Sequence, residues 1–365
     1  METNTLQIVE GQYLGDILDQ PRALSATVQR LEIPKELGAL ATHLREGRIK
    51  RIVLTGMGAS FHALYPLFLR LNAFGYMAAV VETSELVHSL GRWLEPQTLI
   101  IAVSQSGRSA EIVRLIEENT LKESKIKENK TKENKSRAAI VGMTNAADSP
   151  LSLGADALML TMAGKEFSVS CKTYVTALMA LYLLGEYLCG SDLVKTRAEL
   201  EQTVTAVASY LGGWKEHVFD MTAELGRARN LFLLGRGESL AASGAGALII
   251  KESVRLHAEG MSGAAFRHGP LEMVNGETFA VILAGAESTR PLQARLRDDI
   301  RQAGGKTGWI AEDSKLGAWN LPQTPAGVRH ILEILPVQMM TLALAAQTGI
   351  EAGRFARIPK ITTTE

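Results

Sequence analysis

The sequence predicts an α/β fold built as two similar units, each a parallel sheet flanked by helices. Short apolar runs ending in turn or polar residues recur along the chain: the run opening RIVLTGMGAS (51–60), then AAVV (78–81), TLIIAV (98–103), AAIVGM (138–143) and ALMLTM (157–162). Segments with helical spacing, such as SAEIVRLIEE (109–118), lie between most of them. Short buried strands alternating with helices indicate βαβ units and a parallel sheet. The strand and glycine turn LTGMGAS (54–60) also returns as LLGRGES (233–239), 179 residues later. A domain-length repeat accounts for that return.

The elements follow in order. Residues 13–46 read as amphipathic helices, with Pro34 opening a new one. The five apolar runs follow as strands. LKESKIKENKTKENKSR (121–137) breaks the pattern and reads as a solvated helix extension or a surface insertion. Its glutamates cancel its lysines, which argues against a nucleic-acid patch. A helix is expected over 166–189, and the polar stretch 190–203 as a linker. NLFLLGRGES (230–239), FAVILAG (279–285), TGWIAE (307–312) and HILEIL (330–335) supply the strands of the second half. The expected organisation is a helical segment (1–45), a first α/β domain (46–195), a second (205–348) and a C-terminal tail (349–365).

Composition narrows the function classes. Apolar residues make up 46% of the 365-residue chain, and lysine plus arginine equals aspartate plus glutamate at 39 each. With no net charge, a general pull toward nucleic acid or anionic lipid is not expected. Two cysteines are too few for a disulfide framework. The N-terminus lacks a basic stretch followed by an apolar core. The longest apolar run, 175–189, is interrupted by Glu186 and too short for a bilayer. The expectation is a cytoplasmic protein with no membrane or nucleic-acid partner, and a site without metal or cofactor.

The glycine turns raise a dinucleotide reading and then exclude it. That fingerprint needs a small residue three positions after the second glycine, and here those positions are Phe61 and Leu240. Glu82 stands where a ribose-binding acid would, but does not rescue two missing small residues. Ser60 and Ser239 follow the turns and either meet a ligand or cap the next helix; for Ser239 the cap is the preferred reading.

TLIIAVSQSGRSAEIVRLIEE (98–118) is more informative. A strand ends at Val103, and Ser104, Gln105, Ser106, Gly107, Arg108 and Ser109 precede a helix. Three hydroxyls, an amide and a glycine at a helix N-terminus suit a phosphate without a basic patch. Arg108 either assists or faces solvent. In KESVRLHAEGMSGAAFRHGPLE (251–272), Glu252 is placed on a helix that also carries His257 and Glu259 and ends near Gly260. Glu252 is either a base or a solvated helix position. His268, between Arg267 and a Gly-Pro turn, suits a general acid/base. Lys360 lies in an extended tail, where a lysine is ordinarily solvated.

Taken together, GMGAS (56–60), SQSGRS (104–109), VSCKTY (169–174), LGRGES (234–239), KESVRLHAEG with FRHGP (251–260, 266–270) and the terminal KITTTE (360–365) resemble the sugar isomerase (SIS) family. The likeness is to the isomerase part of the glutamine–fructose-6-phosphate amidotransferases and equally to stand-alone amino-sugar-phosphate deaminases and deglycases. It covers roughly residues 45–365. It implies two flavodoxin-like domains. By resemblance, Ser104, Gln105, Ser106 and Ser109 hold the phosphate, and Ser60 contacts the sugar. Glu252 moves a proton between adjacent carbons, His268 opens the ring from a neighbouring subunit, and Lys360 forms a Schiff base with the open ketose. A homodimer follows from the role of His268.

Departures temper the likeness. Ile249 stands where the synthase isomerases carry lysine, Arg108-Ser109 where they carry Glu-Thr, and Ala59 where they carry Thr. No glutaminase domain precedes the first α/β domain, so glutamine hydrolysis is not expected. The expected activity is isomerisation and deamination of a hexosamine-6-phosphate, with ammonia released or captured. The alternatives are a fructosamine-6-phosphate deglycase, a synthase-like isomerase, and a non-catalytic sugar-phosphate sensor.

Overall fold

In a computed structural model, which describes residues 9–127, 137–226, 228–357 and 359–364, nine strands form two parallel sheets. The first contains β1 (Arg51–Gly56), β2 (Ala78–Glu82), β3 (Thr98–Val103), β4 (Ala139–Thr144) and β5 (Ala157–Leu160), in the order β2-β1-β3-β4-β5. The second contains β6 (Asn230–Gly235), β7 (Ala258–Ser262), β8 (Thr278–Leu283) and β9 (Lys306–Ile310), in the order β7-β6-β8-β9. The chain divides into two units. One comprises Ala26–Gly164, Thr176–Thr196 and Ile358–Glu365, and the other Met1–Ser25, Lys165–Val175 and Arg197–Arg357.

The central strands read as continuous apolar runs because both faces are covered. β3, β4 and β8 are buried along their whole length. In the β1–β5 unit, Val53, Ile100 and Ile140 pack with Leu115 and Leu151. In the β6–β9 unit, Phe232, Ile282, Leu296 and Ile300 pack with Phe266, whose ring meets Phe232 edge-on at 5.0 Å. Each such side chain removed from water stabilises its unit by roughly 1.5–3 kcal/mol.

The repeat expected from the glycine turns is present in the backbone. Gly58 and Gly237 occupy the same left-handed conformation, with φ of 54° and 56°. Gly56 and Gly235 end their strands where no side chain fits. A Cβ on Gly56 would stand 2.9 Å from the Val103 carbonyl oxygen, and one on Gly235 2.8 Å from that of Ser239. Strand order reverses between β1 and β3 in one sheet and between β6 and β8 in the other. Ligands bind at the carboxyl ends of strands at such reversals in open α/β sheets.

Several local expectations need correction. HILEIL (330–335) is helical, in Arg329–Leu332 and the start of Ile334–Thr348. The helix carrying Glu252 ends at Val254, and residues 258–262 form edge strand β7, so His257 and Glu259 are not on that helix. Residues 166–171 are not helical; the helix is Lys172–Leu188. There Glu166 accepts from the N–H groups of Cys171 and Thr173 and from the Thr173 hydroxyl, capping the helix from outside. Most of the polar stretch 190–203 belongs to the helix Leu193–Gly212. The helix Ala110–Lys127 extends into the charged segment, and residues 128–136 lie outside the described residues. Among the described residues one stretch, Ala326–Thr348, is long and apolar enough to cross a membrane, and it is mostly buried inside the protein.

Candidate functional site

In the β1–β5 unit, the loop after β3 is fixed by its own backbone. Ser104 donates its N–H to the Met143 carbonyl at 3.0 Å, and the Gln105 carbonyl accepts from Asn145 N–H at 3.1 Å and Thr144 Oγ1 at 3.2 Å. The Gly107 carbonyl accepts from Leu151 N–H at 3.2 Å. Gly107 has φ +61°, and a Cβ there would lie 2.2 Å from Ser149 Oγ. Glycine is therefore required twice over, by conformation and by space.

The two serines are held by the loop they belong to. Ser104 Oγ accepts from Gly107 N–H at 3.1 Å, and Ser106 Oγ accepts from Arg108 N–H at 3.2 Å. Both residues are buried. A hydroxyl that accepts still has its own hydrogen to donate. The loop thus presents oriented donors at the N-terminus of the helix Ala110–Lys127, where the dipole favours an anion. Arg108 is exposed and bonded to Asp148, with Nη2 2.9 Å from the carbonyl and 3.0 Å from Oδ2. Gln105, Ser109 and Ser60 are partly buried, Ser60 in the short helix Gly58–Ala63 after β1.

The tail bearing Lys360 belongs to this same unit. Lys360 is partly buried. Two residues on, the Thr362 carbonyl accepts from the N–H of Ala110, the first residue of the helix after the loop, at 3.2 Å. The unit therefore brings Ser60, the 104–109 loop and the tail to the carboxyl ends of β1 and β3. The motif KITTTE located the tail, but nothing in the sequence pointed to the Thr362 contact.

The β6–β9 unit carries the other two candidates. Glu252 is partly buried in the last turn of the helix Leu240–Val254. That helix is closed by Arg255, which follows it and is the one non-glycine residue with positive φ among those described (57°). Ile249, where the resemblance expects lysine, is 1% exposed and fills the core. Just after Glu252, the Ser253 carbonyl accepts from Gly353 N–H at 3.0 Å, and the Gly353 carbonyl accepts from Ser168 Oγ at 2.5 Å. Arg255 Nη2 donates to the Arg354 carbonyl at 3.2 Å. The segment leading to the tail is thereby fastened beside Glu252. The Tyr13 phenol is pushed above its usual range by burial first, then by the Cys171 thiol, with Glu252 a smaller contributor. His268 is exposed after the helix Gly263–Arg267, and Gly269 beyond it has φ +148°.

Ser239 does not cap its helix. Its hydroxyl donates to Glu333 Oε1 at 2.8 Å, a partner 94 residues away that local sequence does not reveal. Among the described residues no group of three or more His, Cys, Asp or Glu is placed to hold a metal ion.

Comparisons with known proteins bear on both units. The SIS domain model matches residues 48–187 and 224–346. A glutamine–fructose-6-phosphate aminotransferase (isomerizing) from Pyrococcus horikoshii is 29% identical over 99% of this chain and 60% of its own length. The chain thus spans about three fifths of that relative. A candidate phosphosugar isomerase from Silicibacter pomeroyi superposes with a TM-score of 0.76 at 25% identity, covering 93% of this chain and 99% of the other. The C-terminal domain of the glucosamine-fructose-6-phosphate aminotransferase of Francisella tularensis gives 0.79 at 20% identity, covering 94% and 98%, a likeness of fold.

Proposed function

The chain belongs to the SIS domain family, and we propose that it is an amino-sugar-phosphate isomerase and deaminase acting on a hexosamine-6-phosphate. The observation that carries this reading is the 104–109 loop, with two buried hydroxyls oriented at a helix N-terminus and the Lys360 tail bonded to the helix that follows. The phosphate sits on that loop, with Gln105 and Ser109 beside Ser104 and Ser106, and Ser60 meets the sugar. The names of the relatives, an isomerizing aminotransferase and a candidate phosphosugar isomerase, support the substrate class.

The residue types suit the chemistry. His268 passes a proton between the anomeric hydroxyl and the ring oxygen, which opens the ring. Glu252 takes the proton from carbon 2 of the open amino aldose and returns it to carbon 1 through an enolamine, leaving an imine at carbon 2 that water hydrolyses to the ketose and ammonia. Lys360, once deprotonated, attacks the open ketose carbonyl and expels water, giving an iminium that draws electrons from the neighbouring carbon. Exposed His268 serves the site of a second copy, so the working form is a homodimer. Light scattering on an active preparation checks this, and a fully active monomer would refute it.

The decisive assay incubates the protein with glucosamine-6-phosphate, galactosamine-6-phosphate, or fructose-6-phosphate plus ammonium, and measures ammonia and sugar products. Ammonia with a ketose phosphate is expected from an amino sugar. Binding without turnover across the whole panel would favour the sugar-phosphate sensor.

A further inference from the structure

The turn after Glu252 carries backbone strain that a helix end does not require. Arg255 follows the helix Leu240–Val254 in the left-handed conformation, with φ 57° and ψ 30°. That position ordinarily takes glycine, because a side chain there is strained. Strain of this kind persists only where the surroundings hold it, and it collects at working sites. What the arginine side chain adds is one bond: Nη2 donates to the Arg354 carbonyl at 3.2 Å.

Arg354 lies in a segment gripped from several sides. The Gly353 N–H donates to the Ser253 carbonyl at 3.0 Å, and the Gly353 carbonyl accepts from Ser168 Oγ at 2.5 Å. Gly353 has φ +73°, and a Cβ on it would collide with Ser168 Oγ and stand 2.8 Å from Tyr13 Cβ. Ser168 is itself fixed. Asp16 Oδ2 accepts from the N–H groups of Phe167 at 2.6 Å and Ser168 at 3.1 Å, and Asp16 Oδ1 lies 3.1 Å from Lys172 Nζ. Asp16, Ser168 and Lys172 are all buried. Tyr13 and Asp16 stand at i and i+3 on the helix Gln12–Leu18, which puts them on one face. All of these residues belong to the β6–β9 unit.

The buried part of this arrangement stabilises the fold whatever the chain does. The Arg255 bond is different. Arg255 is exposed, and one exposed hydrogen bond from a strained residue returns little stability. A glycine would close the helix without strain. The arginine instead ties the turn that carries Glu252 to a segment whose own position is already set. We propose that Arg255 is a positioning residue for Glu252, with Ser168 as the buried anchor of the segment it grasps. This rests on the reading of Glu252 as the group that moves the proton between carbons, a task that tolerates little misplacement of the carboxylate.

The test compares Arg255→Gly, Arg255→Lys and Ser168→Ala in the full chain, with glucosamine-6-phosphate or galactosamine-6-phosphate as substrate. Arg255→Gly should melt at or above the wild-type temperature, because the strain is gone. Its kcat should nevertheless fall about tenfold or more. Its KM should stay within about twofold, because the 104–109 loop proposed to hold the phosphate is untouched. Arg255→Lys keeps a donor on a long stem and should restore most of the kcat. Ser168→Ala should lower kcat in the same sense, and the melting temperature with it. Wild-type kcat in Arg255→Gly would overturn the proposal, and so would an Arg255→Lys variant as slow as Arg255→Gly. Amide hydrogen exchange separates this result from the proposed function. The Gly353 amide should exchange faster in Arg255→Gly and Ser168→Ala than in the wild type. A wild type that turns over no sugar phosphate would defeat the proposed function, and exchange would then decide whether Arg255 holds the Glu252 turn. Unchanged exchange at Gly353 in Arg255→Gly would show that it does not.

Discussion

The backbone N–H of Ala110 donates to the carbonyl of Thr362 at 3.2 Å. Ala110 begins the helix that follows the Ser104–Ser109 loop, and Thr362 lies two residues beyond Lys360. One of the free N–H groups at the helix N-terminus is thus occupied by the tail, while the loop hydroxyls are held by other partners. The 104–109 loop and the tail are neighbours, and the tail occupies a backbone donor that the loop hydroxyls do not use. Deleting residues 356–365 should abolish turnover and leave the affinity for inorganic phosphate within about twofold, since no charge-assisted bond to the anion is removed. Borohydride with a ketose phosphate should trap an adduct at Lys360. Retained turnover after the deletion would refute a catalytic tail.

The loop hydroxyls make a second prediction. Replacing Ser104 and Ser106 together by alanine removes two donors and also frees the N–H groups of Gly107 and Arg108 that they accept. Hydrogen bonds to charged groups contribute about 1.5–3 kcal/mol each. Calorimetry should therefore show sugar-phosphate binding weakened by a few kcal/mol, and the freed N–H groups should lower the melting temperature as well. Unaltered affinity would remove the phosphate from this loop.

Gly107 allows the loop geometry to be tested apart from any ligand. Alanine at φ +61° carries strain of roughly 1–2 kcal/mol, and its Cβ would also collide with Ser149. Urea unfolding should show Gly107→Ala destabilised by more than this strain alone. Adding Ser149→Gly removes the atoms struck, at a few tenths of a kcal/mol for the helix cap that Ser149 provides. The double variant should recover the collision but not the strain. No recovery would mean that the loop and Ser149 are not packed as described.

The sheets were legible in the sequence because strands such as β3 and β8 are buried on both faces and read as unbroken apolar runs. The same rule misled at HILEIL. The helical residues 330–335 are buried all round, and a short buried helix has no polar face to reveal its period. β7 was missed for the opposite reason. It is an edge strand, and AEGMS carries an exposed Glu259 that breaks the apolar run. The 104–109 loop proposed to hold the phosphate could be singled out from the sequence because its residues are contiguous. The bond from Ser239 to Glu333 could not, because it spans 94 residues and begins at a position that looks like an ordinary cap.

Glu333 gives a prediction in pH. Burial pushes its carboxyl from the usual range near 4.5 up to about 7, Glu238 adds to that rise, and the Ser239 bond with the His330 and Arg329 charges offsets only part of it. Between about 4.5 and 7 the folded chain therefore holds a proton that the unfolded chain has lost. Stability falls with rising pH wherever the folded state binds more protons. The penalty is absent below the unfolded value, grows through this window and is complete above pH 7. Glu333→Gln keeps the shape and removes the titration. Its stability relative to wild type should rise from pH 5 to pH 8 by something of the order of 1–3 kcal/mol, read as a widening gap between the two melting curves. A gap that stays constant would mean that Glu333 does not titrate in this window, and that its buried oxygen is matched by a partner in solution.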